Sequence, residues 1–184
     1  ERQPAICGNA KCGGRHGSIY RGYFEATKPA REFNVMTHAL ACQAVFEASW
    51  EKVITPLDTC GNVILDGERF ARIREAATQQ GPTSAASICF ENHVAWFEAA
   101  RDWPILKRMD ARLQSSILYD LVAVYLGFAE QWLDMKTLPI VITPDVKTLI
   151  DEQGQNVRCA LNWHDKNEFL NLVTERLVSA PVST

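Results

Sequence analysis

The sequence predicts an α+β fold, a small sheet with several helices covering one side heavily. Three observations predict it. The β-prone apolar runs are short and few. The stretches between them carry longer helical patterns. The composition, 47% apolar and 22% charged over 184 residues, is that of a globular chain able to bury a full core. One domain over residues 1–184 is expected. The strand candidates are Val53–Leu57, Asn62–Leu65, Ile140–Thr143 and Val157–Trp163.

Taken in order, residues 1–30 are rich in Gly and basic side chains and read either as a mobile arm or as a flap over a site. Cys7, Cys12 and His16 are metal-ligand types, but a zinc site needs a fourth ligand and tighter pairing, and His38 supplies one only by chance. Gly13-Gly14-Arg15 offers backbone N–H groups to a phosphate and equally reads as a flexible terminus. Thr37 is expected to cap a helix carrying Leu40, Cys42, Val45, Phe46 and Trp50 to about Glu51. Two strand candidates follow, then a helix from Glu68 that Gly81-Pro82 ends. Thr83 to Arg101 reads as helix. Pro104 fits the first position of the next one, which runs from Ile105 to Arg112 and on into a buried helix over Ile117–Leu133. Val146–Glu152 is expected as a short helix stopped by Gly154. In Val157–Trp163 the alternation of Val157, Cys159, Leu161 and Trp163 predicts a strand with one apolar face. Asp165 caps a last helix to about Leu177, and 181–184 is expected to fray. Val-Ile-Thr-Pro occurs at 53–56 and 141–144, a coincidence rather than a repeat.

The net charge of −3 provides no global basic field for nucleic acid. DNA contact would have to use local patches, Arg69/Arg72/Arg74 or Arg101/Lys107/Arg108/Arg112, and such runs are also ordinary solvated faces. The opening residues do not read as a signal peptide, and no apolar run reaches transmembrane length. The six scattered cysteines fit reduced thiols, so a cytoplasmic location with no membrane span is expected. His93 reads as a surface or packing residue. His164 beside Asp165 is not read as a catalytic pair. Trp96, Trp103 and Trp132 read as core.

The chemistry concentrates in residues 61–81. An apolar run, Asn62–Leu65, meets Asp66-Gly67, and a helical pattern begins at once. A helix N-terminus carries unpaired N–H groups and partial positive charge, which suits a phosphate. Gly67 permits a sharp turn and close approach of a ligand. Glu68 and Arg72 are four apart and Arg69 and Arg72 three apart, so they can share a face. Phe70, Ile73 and Ala77 should face the core. A carboxylate and two guanidinium groups there suit binding and cutting of a phosphoryl compound. The same residues also make an ordinary helix-surface pair.

This stretch resembles the glycine-centred box of the ParB/sulfiredoxin superfamily, in which an apolar strand leads into Gly-Glu-Arg-Arg and a helix. Gly67-Glu68-Arg69 matches, and Phe70 holds the fourth place. The preceding helical stretch from Thr37 and the strand candidate at Val53 follow the family's order. Glu91-Asn92 resembles the start of a second box, with Ala95 where that box ends in arginine. The resemblance implies a small mixed sheet, nucleotide at the box (CTP in ParB, ATP in sulfiredoxin) and kinship with the stand-alone Osa-type plasmid fertility-inhibition group. That group couples ATP hydrolysis to DNA cleavage and blocks conjugative transfer through a type IV secretion system. Carried over residue by residue, Glu68, Arg69 and Arg72 are the expected catalytic set. Asp66, Gly67, Glu91 and Asn92 are the expected nucleotide-binding set, and Glu68 with Asp66 are expected to hold Mg2+. The implied partners are ATP or another nucleoside triphosphate, DNA, and a type IV secretion component or a relaxase-bound strand. An alternative is a non-enzymatic partition-like or anti-conjugation binding module. Sulfinic-acid reduction is excluded by Glu68, which stands where that chemistry needs a cysteine; Cys60 precedes the run.

Overall fold

A computed structural model describes residues 3–5, 31–104 and 106–179. The Cys7/Cys12/His16 set, Gly13-Gly14-Arg15, most of the expected arm and the end at 181–184 lie outside the described residues. The architecture is α+β, and the chain divides into two compact units. One comprises Glu1–Asn62 and Tyr119–His164, the other Val63–Leu118 and Asp165–Thr184. Among the described residues no helix is long and apolar enough to cross a membrane.

Among the described residues the first unit holds the whole sheet. Its strands are β1 (Gln3–Ala5), β2 (Val53–Ile54), β3 (Leu133–Ile142), β4 (Thr148–Ile150) and β5 (Gln155–Trp163), in the spatial order β1-β4-β3-β5-β2. The sheet is mixed, with β2 parallel to β5 and the remaining pairs antiparallel. Ile140, Val157 and Cys159 are buried at its centre, with Phe46, Ile54, Leu138, Ile150 and Leu161 packed against them. The apolar face expected of β5 is therefore built, from Val157 through Leu161. The helices of this unit are α1 (Phe33–Thr37), α2 (Ala39–Glu47), α3 (Leu57–Cys60) and α6 (Tyr119–Leu126). The buried Thr59 hydroxyl donates to the Ala160 carbonyl at 2.6 Å, and Trp163 Nε1 donates to the Thr59 carbonyl at 2.9 Å, which docks α3 on β5. Buried Lys52 donates to the carbonyls of Ala48 and Trp50, placing its cation at the C-terminal end of α2, where the dipole favours it.

Several expected elements are corrected here. Thr37 does not cap a helix. It ends α1, its hydroxyl donating to Phe33 O at 2.7 Å, while Glu32 accepts from Val35 N and caps that helix. The Val53–Leu57 strand shrinks to two residues, because Pro56 has no N–H to give a ladder and starts α3 instead. Val146–Glu152 is not a helix: Thr148–Ile150 within it is strand β4. Its Thr148 and Ile150 are β-branched, and the Thr143–Lys147 turn folds the strand back on β3. In that turn the Thr143 hydroxyl donates to Asp145 Oδ1 at 2.6 Å and accepts from Lys147 N at 3.0 Å, with Val146 at φ 58. The long helix expected through Ile117–Leu133 is only α6. Gly127 follows its last turn, and Leu133 already begins β3. Pro139 within β3 lies where β4 pairing has not begun, and its carbonyl accepts from Asp151 N at 2.9 Å.

The second unit is helical: α4 (Gly67–Gln79), α5 (Ala85–Ala99), a 3-10 turn (Leu106–Arg108) and α7 (Lys166–Ser179). Phe70, Ile73 and Ala76 are the buried face of α4, Ala76 rather than the expected Ala77. Gly81, at φ 84, follows the end of α4, and Ser84 caps α5 by accepting from Ser87 N. The helix expected over 105–112 does not form beyond that turn. Asp110 Oδ1 accepts from Arg112 N at 2.9 Å, and this local bond competes with helix. His93 is buried and packs against Phe70 and Phe97, with ring centroids 5.2 and 4.7 Å away. Its Nε2 donates to Ala111 O at 2.8 Å. Trp103, expected in the core, is 51% exposed, touching Trp96 edge-on.

Candidate functional site

The chain segment that enters α4 is extended, as the sequence predicts, but it is not a sheet strand. Val63 and Leu65 are buried, and their backbone groups pair with 115–118 inside the helical unit. Ser115 N donates to Leu65 O at 2.8 Å, Leu65 N to the Ser115 hydroxyl at 2.9 Å, and Leu118 N to Val63 O at 2.9 Å. Asp66 closes this ladder as an isolated bridge to Gln114. With those hydrogen bonds satisfied, a sheet neighbour is not needed.

Asp66 is extended at the N-cap position, and its carboxylate makes no cap hydrogen bond. Gly67 opens the helix at φ 52, a left-handed conformation that disfavours any side chain, and a Cβ there would meet nothing within 4 Å. Asp66, Gly67 and Glu68 are all exposed. The head of α4 thus presents carboxylates on both sides of a glycine, with the first-turn N–H groups behind them.

The two arginines turn toward α7. Arg69 Nε donates to Asn171 Oδ1 at 2.9 Å and Nη2 to Asn167 Oδ1 at 3.3 Å. Arg72 Nη1 lies 2.8 Å from Glu175 Oε1. That hydrogen bond holds the Glu175 carboxyl below its usual range and raises the Arg72 guanidinium, with Glu68 adding a smaller upward push on Arg72. Arg74 donates to Arg112 O. Glu91 and Asn92 are exposed in the middle of α5, as is Ala95. In the second basic run Arg101 pairs with Glu98 and Arg112 with Asp110, so acids interleave with the cations.

Sequence reasoning missed Asn167, Asn171 and Glu175. Their signal was present: a polar stripe at every fourth residue of α7, matching the three-residue spacing of Arg69 and Arg72 on α4. Among the described residues no three His, Cys, Asp or Glu side chains form a group that could hold a metal. Asp66 and Glu68 are the two exposed carboxylates at the head of α4, and Mg2+ takes one or two protein carboxylates with water and phosphate oxygens. Cys60 is buried and its thiol is pushed up to about 12, mainly by burial, so it is no nucleophile near neutral pH. No protein-family model and no curated protein matches this chain.

Proposed function

We propose that the chain is a nucleotide-regulated phosphate-ester hydrolase, an ATPase and DNase of ParB/sulfiredoxin kind, that inhibits conjugative DNA transfer through a type IV secretion system. The observation that carries the reading is the delivery of an extended, buried segment into left-handed Gly67, with exposed Asp66 and Glu68 at the mouth of α4. Glu68, with Asp66, would hold Mg2+ or accept the proton of the attacking water. The first-turn N–H groups and the Arg69 guanidinium would take phosphate oxygens, with Arg72 second to it. Bound there, Mg2+ would neutralise charge developing on the phosphoryl oxygens. Glu91 and Asn92 are the proposed nucleotide contacts from α5. A cytoplasmic location follows from this reading.

A second reading, a non-enzymatic partition-like or anti-conjugation binding module, is favoured by two observations. Arg72 is already paired with Glu175, and Phe70, standing where the resembled box has an arginine, is buried in the core. Purified protein incubated with ATP, CTP and linear DNA, with and without Mg2+, separates the two. Phosphate release or strand cutting that Glu68→Ala reduces about a hundredfold supports the hydrolase. Full activity in Glu68→Ala moves the chemistry elsewhere, and binding without turnover in the wild type favours the module.

A further inference from the structure

The two box arginines look alike in sequence, yet α7 treats them differently. Arg72 meets a carboxylate, and the pair is close to neutral. Arg69 meets two amide oxygens, Asn171 Oδ1 on Nε and Asn167 Oδ1 on Nη2. An amide oxygen orients a guanidinium without cancelling its charge. Arg69 Nη1 has no protein partner among the described residues. Asn171 Nδ2 lies on the side away from Arg69, 3.5 Å from Glu168 Oε1.

We propose that Asn167 and Asn171 are positioning residues that hold Arg69 still and fully charged, so that Arg69 rather than Arg72 takes a phosphate oxygen at the head of α4. The inference rests on the phosphate-binding reading above. The competing account is that both arginines only join α4 to α7. For that purpose a carboxylate would serve better than an amide at either position, since charged pairs bind more strongly than neutral ones. At Asn167, in the first turn of α7, an acid would also suit the helix N-terminus. The amides are the weaker tie and the better holder of an available cation.

The test uses that opposition of signs. The full chain is titrated calorimetrically with Mg2+-free ATP and, separately, with a single-stranded oligonucleotide, and thermal unfolding is followed on the same samples. Asn167→Asp should keep or raise the thermal midpoint while weakening binding by roughly tenfold or more. Arg69→Ala should weaken binding more than Arg72→Ala does. Loss confined to ATP assigns the phosphate to a nucleotide, and loss confined to the oligonucleotide assigns it to DNA. Asn167→Asp binding as tightly as wild type, or Arg72→Ala costing more than Arg69→Ala, overturns the proposal. Should Asn167→Asp unfold several degrees early, the folded double variant Asn167→Ala/Asn171→Ala decides: wild-type affinity overturns the proposal and a severalfold loss supports it. A wild type that binds neither probe removes the phosphate-binding reading itself, whereas a wild type that binds while the Asn variants match it removes only this inference.

Discussion

The sheet unit and the helical unit hold themselves together by different means. In the sheet unit the backbone does much of the joining: β3 pairs with β5 from Leu133↔Trp163 to Ile140↔Gln155, and the apolar cluster of Ile140, Val157 and Cys159 sits on that ladder. In the helical unit each helix satisfies its own backbone, so contact between helices falls to side chains. Phe70, His93 and Phe169 form its interior, and Arg69 and Arg72 reach across to α7 at its surface. Beside the sheet a polar side chain such as Thr59 supplements a backbone ladder, whereas along α4 and α7 polar side chains join the helices and also line the candidate site. The helical unit is therefore where mutational effects on stability and on function will be hardest to separate.

The largest effects should come from emptying each interior in turn. Phe169→Ala should cost about 3–5 kcal/mol and Ile140→Ala about 2–5 kcal/mol. Amide hydrogen exchange checks the comparison: the first should release amides of α4, α5 and α7, the second those of β3 and β5. Uniform loss in both variants would merge the two units into one cooperative body.

The glycines sharpen the contrast at an intermediate size. A Cβ on Gly154 would lie 2.5 Å from the Ile140 carbonyl, backbone that cannot yield cheaply, so Gly154→Ala should cost about 1–3 kcal/mol by overpacking. Gly67→Ala meets open space and should cost only the left-handed backbone, about 1–2 kcal/mol. Denaturant midpoints measure both, and a larger loss at Gly67 than at Gly154 would reverse the ranking.

Ser115→Ala would leave the buried Leu65 N–H without its acceptor, for about 1–3 kcal/mol, and should loosen the entry to α4. Unchanged exchange at Leu65 would show that another group satisfies it.

The smallest effect concerns acid. Lys147 and Thr143 hold the Asp145 carboxyl at about 2, below its ordinary 3.8. A depressed carboxyl contributes stability above its unfolded value and loses it as pH falls through the folded one. The β3–β4 turn should thus loosen as pH falls from 3.8 to about 2, and Asp145→Asn should abolish that step in a carboxyl-resolved NMR titration.

Much of the helical unit was legible in the sequence because its signals are local. Gly67, Gly81 and Asp165 mark helix ends by their own conformation or side chain, and α4, α5 and α7 fall where periodicity put them. Glu168 N donates to Asp165 Oδ1 as a cap requires. Two of the misread elements depended on distant partners. Val146–Glu152 reads as a short helix, and pairing with β1 and β3 makes Thr148–Ile150 a strand. Asn62–Leu65 reads as a sheet strand, and only Ser115 and Leu118, far along the chain, show that its partner lies elsewhere. The candidate site was half legible for the same reason: the residues from Asp66 to Arg72 announce themselves together, but the α7 side chains that decide what each arginine can do are 98 and 102 positions away from Arg69.

That distance has a consequence for the chain as it is made. Translation delivers α4 and α5 first, then the whole of β3, β4 and β5, and only afterwards α7. Throughout that interval Arg69 and Arg72 sit three apart with neither Asn167, Asn171 nor Glu175 to meet them. The helical unit can gather on the ribosome but cannot finish there until the sheet segments have passed through the exit tunnel. A nascent chain arrested before residue 166 would carry α4 with Arg69 unheld by its amides and Arg72 without its counter-ion.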